Sequence, residues 1–122
     1  QASRSCLQRK IAGVVINGAI RDVREIRQLG FPAFAKLIMP AAGEPRGWGD
    51  IGVPIRIGET EIHTGDWVVG DDDGVVVIPQ EIAVEIANRA MSWKEKEVRE
   101  IEEIEKGSTL GKVSELLRWE KH

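Results

Sequence analysis

The adjacent pair Arg21-Asp22 carries the strongest chemical signal in this sequence. It follows Gly18-Ala19-Ile20, which comes directly after the apolar run Val14-Val15-Ile16 and Asn17. Arginine presents a planar fork that pairs with a carboxylate at two points. Aspartate presents a hard oxygen suited to Mg²⁺ or Mn²⁺. Side by side at a strand-to-helix turn, the two would hold an acid substrate against a divalent metal. Amides at the start of the following helix would add donors. The same residue types also suit a simpler arrangement, in which Asp22 only caps its helix and Arg21 makes a surface ion pair.

Other residues give weaker signals. Asp71-Asp72-Asp73-Gly74 is acidic enough to attract a cation, but a tight hairpin turn splays such side chains instead of converging them. Arg46 lies in a loop rich in Gly and Pro, either reaching a pocket or facing solvent. His63 stands alone in a strand pattern. Without H-x-x-H or H-E-x-x-H spacing it is read as structural. Cys6 has no nearby histidine and is read as a small buried hydrophobe. His122 is terminal. Neither G-x-x-x-x-G-K-[ST] nor G-x-G-x-x-G occurs, so nucleotide binding has no motif support.

The elements that must position these groups can be read from patterning. Residues 1–12 read as a helix end, with Ala2 and Cys6 on one face and Gly13 as a stop. Val14-Val15-Ile16 suits a buried strand covered on both faces, and Asn17-Gly18 a turn. Asp22 and Glu25 have capping-box spacing at the head of a helix over 23–29 that Gly30 ends. A second strand covers 33–38. Strands at 53–57, 61–63, 67–70 and 75–78 come next, with turns at Gly58-Glu59, Thr64-Gly65-Asp66 and the triple Asp. After Pro79 the period becomes helical through Ile82, Ile86, Ala90, Val98, Ile101 and Ile104. Gly107 breaks that helix. Ser108 is placed to cap a last one carrying Leu110, Val113, Leu116 and Leu117. Acids and bases alternate from 94 to 106, as on a solvated helix face with i,i+4 pairs. Short strands followed by long helices make an α/β or α+β layered protein.

Composition narrows the function classes. The 122 residues suit one domain. Seventeen Lys plus Arg against twenty Asp plus Glu give a net charge of −3, with no basic stripe for nucleic acid. No apolar run approaches the roughly 20 residues of a membrane span. A single cysteine cannot form an internal disulfide, so the cytoplasm is the expected compartment.

Several of these stretches together resemble the RraA-like/HMG-aldolase signature. They are Gly13 through Asp22, Leu29-Gly30-Phe31-Pro32, Val53-Pro54-Ile55, Gly65-Asp66 and Asp71 through Pro79. The resemblance covers roughly residues 10–80 in order. It implies a swivelling β/β/α-type layered fold, incomplete here at its N-terminus. A family domain is expected over 1–106 and a helical tail over 107–122. It implies trimers or stacked trimers, and a divalent-metal-dependent lyase of the class II aldolase/decarboxylase type. Its 2-oxo acid substrates would be compounds such as 4-hydroxy-4-methyl-2-oxoglutarate or oxaloacetate. The family motif is an acid, twenty residues, then Arg-Asp. Carried over, Arg21 binds the substrate carboxylate and Asp22 serves the metal, Mg²⁺ or Mn²⁺. The substrate loop would end at about Gln1 and Ala2. The motif's first acid would fall just before Gln1, so a separate N-terminal partner chain is one arrangement that fits. Asn17 stands where the family commonly has Asp. The alternative implied by the same family is a non-catalytic regulator acting through protein–protein contacts. An intact Arg21-Asp22 favours the lyase, and the missing upstream acid favours the regulator.

Overall fold

The computed structural model describes residues 1–44 and 46–119, with side chains described as far as 114. His122, and the side chains of Leu116 and Leu117, lie outside the described residues. The chain forms two compact units, 1–79 and 80–122.

The first unit begins with helix α1 (Ala2–Gln8). Its stop is not Gly13, as patterning suggests, but Lys10, a non-glycine residue at φ 58. The Ile11 amide donates to the Cys6 carbonyl and the Lys10 amide to the Leu7 carbonyl, both at 3.0 Å. These are the two bonds of a Schellman ending. Gly13 has a different role: a Cβ there would sit 3.0 Å from the Pro32 carbonyl oxygen.

Strand β1 (Val14–Ile20) pairs in parallel with β2 (Ala33–Ile38), and the short helix α2 (Val23–Gln28) connects them. Asn17-Gly18 does not turn the chain. It inserts one extra residue into β1, so the register slips between Ile16↔Ala35 and Ala19↔Leu37, and the strand runs on to Ile20. Such a bulge re-aims the side chains beyond it. Asn17 is itself tied down, its Nδ2 donating to the Arg56 carbonyl at 3.3 Å. The expected two-sided cover of β1 is not complete. Val14 and Val15 are half-buried, and Ile16 is exposed.

Helix α2 ends at a second Schellman pair, Gly30 to Arg27 and Phe31 to Ile26, with Gly30 at φ 62. Glycine takes that conformation without steric cost. Ile26 and Phe31 occupy the two positions that commonly touch in this motif. Phe31 is buried, 4% exposed.

Two hairpins complete the unit: β3 (Ile55–Ile57) with β4 (Thr60–Ile62), and β5 (Trp67–Asp71) with β6 (Gly74–Ile78). The triple Asp forms the second turn, where the Asp73 amide donates to Asp71 Oδ1 at 2.9 Å. One face of this hairpin packs inward through Gly70 against the Phe34 ring. The other carries Trp67, Val69 and Val76, all more than half exposed. Val68, on the Gly70 face, is also exposed, so the hairpin is apolar on both faces and fully covered on neither among the described residues.

The second unit holds a 3₁₀ turn (Gln80–Ile82), helix α3 (Ala83–Glu105) and helix α4 (Leu110–Trp119). Helix α4 starts at Leu110, so Thr109 stands at its N-terminal boundary in place of Ser108. Of the charges that alternate over 94–106, Glu103 and Lys106 pair at 2.9 Å with i,i+3 spacing, and the i,i+4 pair Glu85–Arg89, at 3.9 Å, lies outside that stretch. The Glu103 hydrogen bond, with its charge, holds the Lys106 amine above the usual lysine pKa. Val113 is buried. None of the described helices is long and apolar enough to cross a membrane.

The Gly70 contact gives a stability prediction. A Cβ at Gly70 would lie 2.6 Å from Phe34 Cζ and 2.8 Å from Cε2. Gly70→Ala is expected to lower stability by about 1–2 kcal/mol, the usual cost of overpacking. Combining it with Phe34→Leu should recover part of that loss, as read by urea unfolding of the single and double variants.

Candidate functional site

Arg21 and Asp22 occupy the junction between β1 and α2, at the carboxyl end of a parallel strand. Open α/β sheets commonly place ligands outside such strand ends. The neighbouring strand ends beside it. The Met39 amide donates to the Ile20 carbonyl at 3.0 Å, one residue past the end of β2. The bulge at Asn17-Gly18 sets which way the last residues of β1 face.

Asp22 does not act as patterning suggests. It stands at the N-terminal boundary of α2 with φ 60 and ψ 35, in the left-handed region, and its side chain makes no capping hydrogen bond. A capping aspartate needs extended backbone to reach the second or third helical amide. The left-handed conformation denies it that reach, so the expected capping box with Glu25 does not form. Asp22 contributes to the helix through its carbonyl alone, which accepts from the Ile26 amide at 3.0 Å. A non-glycine residue held this way costs on the order of 1 kcal/mol. The conformation leaves the carboxylate uncommitted. Its nearest charged partner is Arg21, Nε to Oδ2 at 3.7 Å, and both side chains are more than half exposed.

A concavity of about 790 Å³ opens beside the pair. Val14, Ile16 and Ile20 of β1, Ile26 and Leu29 of α2, and Phe31 give it an apolar lining. Its charged members are Arg4, Arg21, Asp22 and Glu25. Gln1, Ala2 and half-buried Cys6 border it from α1 and its start. The structure thus brings Gln1, Ala2, Arg21 and Asp22 to one concavity. A smaller one, about 350 Å³, lies between Arg21, Asp22, Val23 and the segment Ile38-Met39-Pro40. Apolar walls with a few convergent polar groups are the usual make-up of a small-molecule site.

The other candidates lie elsewhere. Arg46 does not line either concavity. His63 forms a local cluster, its Nε2 3.2 Å from Glu61 Oε1, while its backbone amide donates to Asp66 Oδ2 at 2.8 Å. The triple Asp is engaged in its own turn. Among the described residues, no group of three or more His, Cys, Asp or Glu side chains could enclose a metal ion. Asp22 with Glu25 is the acidic pair at the concavity. One or two carboxylates suit a hard cation such as Mg²⁺, which keeps much of its shell as water and substrate. Sequence reasoning missed Arg4, and took Glu25 only as a capping partner. Glu25 had a positional signal, lying one helical turn after Asp22, whereas Arg4, two places from both Ala2 and Cys6 on α1, had none.

A parallel β-α-β unit with an arginine–aspartate pair at its strand end defines the class. The chain belongs to the RraA-like family, described as Aldolase/RraA, whose model matches residues 1–77. It is 42% identical over 115 residues to an uncharacterized protein of Methanocaldococcus jannaschii, covering 94% of this chain and 55% of that one. It is 50% identical over 70 residues to a putative 4-hydroxy-4-methyl-2-oxoglutarate aldolase of Halalkalibacterium halodurans, covering 57% of this chain and 33% of that one. A crystal structure of an uncharacterized protein from Pseudomonas syringae pv. tomato superposes with a TM-score of 0.85 at 32% identity, over 93% of this chain and 57% of the other. The RNA-processing inhibitor RraA from Thermus thermophilus superposes with a TM-score of 0.58 at 29% identity, over 64% of this chain and 48% of the other. The chain therefore has the fold of RraA-type proteins, and its matches span from a third to just over half of the length of these relatives.

The backbone of Asp22 yields a test. Asparagine, like aspartate, tolerates the left-handed region, whereas a β-branched residue does not. Asp22→Asn is expected to change stability by less than ~0.5 kcal/mol, and Asp22→Val to lower it by about 1–2 kcal/mol. Denaturant midpoints of the two variants check this ordering. Equal losses would show that the side chain, and not the backbone, matters for folding.

Proposed function

We propose that this chain carries the substrate-carboxylate and metal-holding part of a divalent-metal-dependent lyase acting on pyruvate-type 2-oxo acids. The observation that supports it best is Asp22: a strained backbone that frees its carboxylate, beside Arg21, at the mouth of an apolar concavity. Relatives named as 4-hydroxy-4-methyl-2-oxoglutarate aldolases give the reading its substrate class.

The residues have distinct roles in this reading. The Arg21 guanidinium pairs with the carboxylate next to the 2-oxo group and fixes its orientation through two parallel hydrogen bonds. The Asp22 carboxylate holds the divalent cation, Mg²⁺ or Mn²⁺, directly or through water. The backbone near Gln1 and Ala2 borders the substrate. When bound, the cation acts as a Lewis acid that spreads the negative charge developing on the 2-oxo group. Aldol cleavage removes the proton of the 4-hydroxyl and breaks the C3–C4 bond. That bond's electron pair passes to C3, which takes up a proton to give pyruvate. Decarboxylation of oxaloacetate breaks the bond to the far carboxylate, releases CO₂ and ends in the same protonation.

The reading includes a homo-oligomer built on three-fold symmetry in the cytoplasm. The exposed outer face of the β5–β6 hairpin, with Trp67, Val69 and Val76, supports an assembly that covers it. A second reading, a non-catalytic regulator working by surface contact, is supported by the structural likeness to the RNA-processing inhibitor RraA. One experiment separates the two. The full-length protein is expected to release pyruvate from oxaloacetate with Mg²⁺ and to stop when the metal is chelated. Arg21→Lys should lower kcat/KM at least ~30-fold, since lysine keeps the charge but loses the two-point fork, while the unfolding midpoint stays put. Absent turnover by the parent protein would favour the regulator, and metal-independent turnover would overturn the metal-holding role given to Asp22.

A further inference from the structure

We infer that Arg4 is a specificity-determining residue that binds the far carboxylate of a dicarboxylic 2-oxo acid; this rests on the lyase reading and names the half of the substrate that Arg21 does not reach. Two guanidinium groups line the large concavity, Arg21 from the end of β1 and Arg4 from α1. Arg21 lies against Asp22 at 3.7 Å, so the end of a substrate that meets the metal-holding carboxylate lies at that junction. Arg4 comes from a different element. Its helix is closed by the Schellman ending at Cys6, Leu7, Lys10 and Ile11, which sets where the chain leaves α1. Among the described residues Arg4 has no ion pair.

The concavity's two guanidiniums stand with the carboxylates of Asp22 and Glu25, so its own side chains carry no excess of negative charge to repel a second carboxylate. The volume, about 790 Å³, leaves ample room for an acid longer than pyruvate. The lining includes apolar side chains of β1 and α2, so a carboxylate placed against them, away from Arg21, needs a second cation to replace its lost hydration. Arginine gives that anchor a fixed, two-point geometry.

Arg4 is exposed on α1, and glutamine keeps a comparable helix propensity, so Arg4→Gln is expected to fold normally. The test uses the full-length protein with Mg²⁺ and calorimetric titration of two unreactive acids, pyruvate and 2-oxoglutarate. The parent should bind 2-oxoglutarate more tightly than pyruvate. Arg4→Gln should weaken 2-oxoglutarate roughly tenfold or more, the scale of a charged hydrogen bond, and leave pyruvate within about twofold. Arg4→Lys should fall between. An unchanged 2-oxoglutarate affinity, or an equal loss for both acids, overturns the role of Arg4 while leaving the lyase reading intact. Failure of the parent to bind either acid overturns both.

Discussion

The left-handed backbone at Asp22 is the constraint on which this site depends. The chain must leave the end of β1 and enter α2 with no intervening residues beyond Arg21 and Asp22. One residue in the left-handed region makes that reversal, and its carbonyl starts the helix ladder. The same conformation withdraws the side chain from the helix amides. A residue type that normally closes a helix end is therefore left with its carboxylate facing a concavity, at a conformational cost of on the order of 1 kcal/mol. Strain of this kind persists only where the surroundings fix it. Here they do so through the Met39–Ile20 hydrogen bond on one side and the Ile26–Asp22 hydrogen bond on the other.

The rest of the first unit serves that junction. The bulge at Asn17-Gly18 sets the direction of the strand end, and its anchoring to Arg56 links it to the β3–β4 hairpin. Gly30 turns the chain from α2 into β2, and Phe31 is buried there. Gly70 allows the β5–β6 hairpin to approach the Phe34 ring. These contacts bury little: Phe31 is the only buried hydrophobic side chain among the described residues of the first unit. Apolar strand faces of this kind are stable when further protein covers them, and the chain spans about half of its relatives.

Much of this was legible in the sequence, for identifiable reasons. The two hairpins are marked by β-branched runs around turns with Gly, Glu and Asp, and strand 33–38 by its start after Phe31-Pro32; the parallel β1–β2 pairing was not legible, because patterning gives no strand direction. Arg21-Asp22 stood out because its two side chains have complementary chemistry at a strand end. Two further features were not legible. Asn-Gly reads as a turn wherever it occurs, yet here tertiary pairing with β2 carries the strand through it as a bulge. Asp before a helix reads as a cap, because propensity cannot tell extended from left-handed backbone at a residue that tolerates both. Arg4 was invisible for a third reason. A charged residue on a short helix carries no pattern until the fold sets it beside the same concavity as Arg21.

The most direct test of the metal-holding role is the affinity of the full-length protein for Mn²⁺, read from the electron paramagnetic resonance of the free ion. Asparagine keeps the left-handed backbone but offers a neutral oxygen, a much weaker ligand for a hard cation. Asp22→Asn is expected to raise the Mn²⁺ dissociation constant at least ~tenfold with an unchanged unfolding midpoint. Equal Mn²⁺ affinity in the parent and in Asp22→Asn would contradict that role, because the carboxylate freed at this turn would then hold no metal.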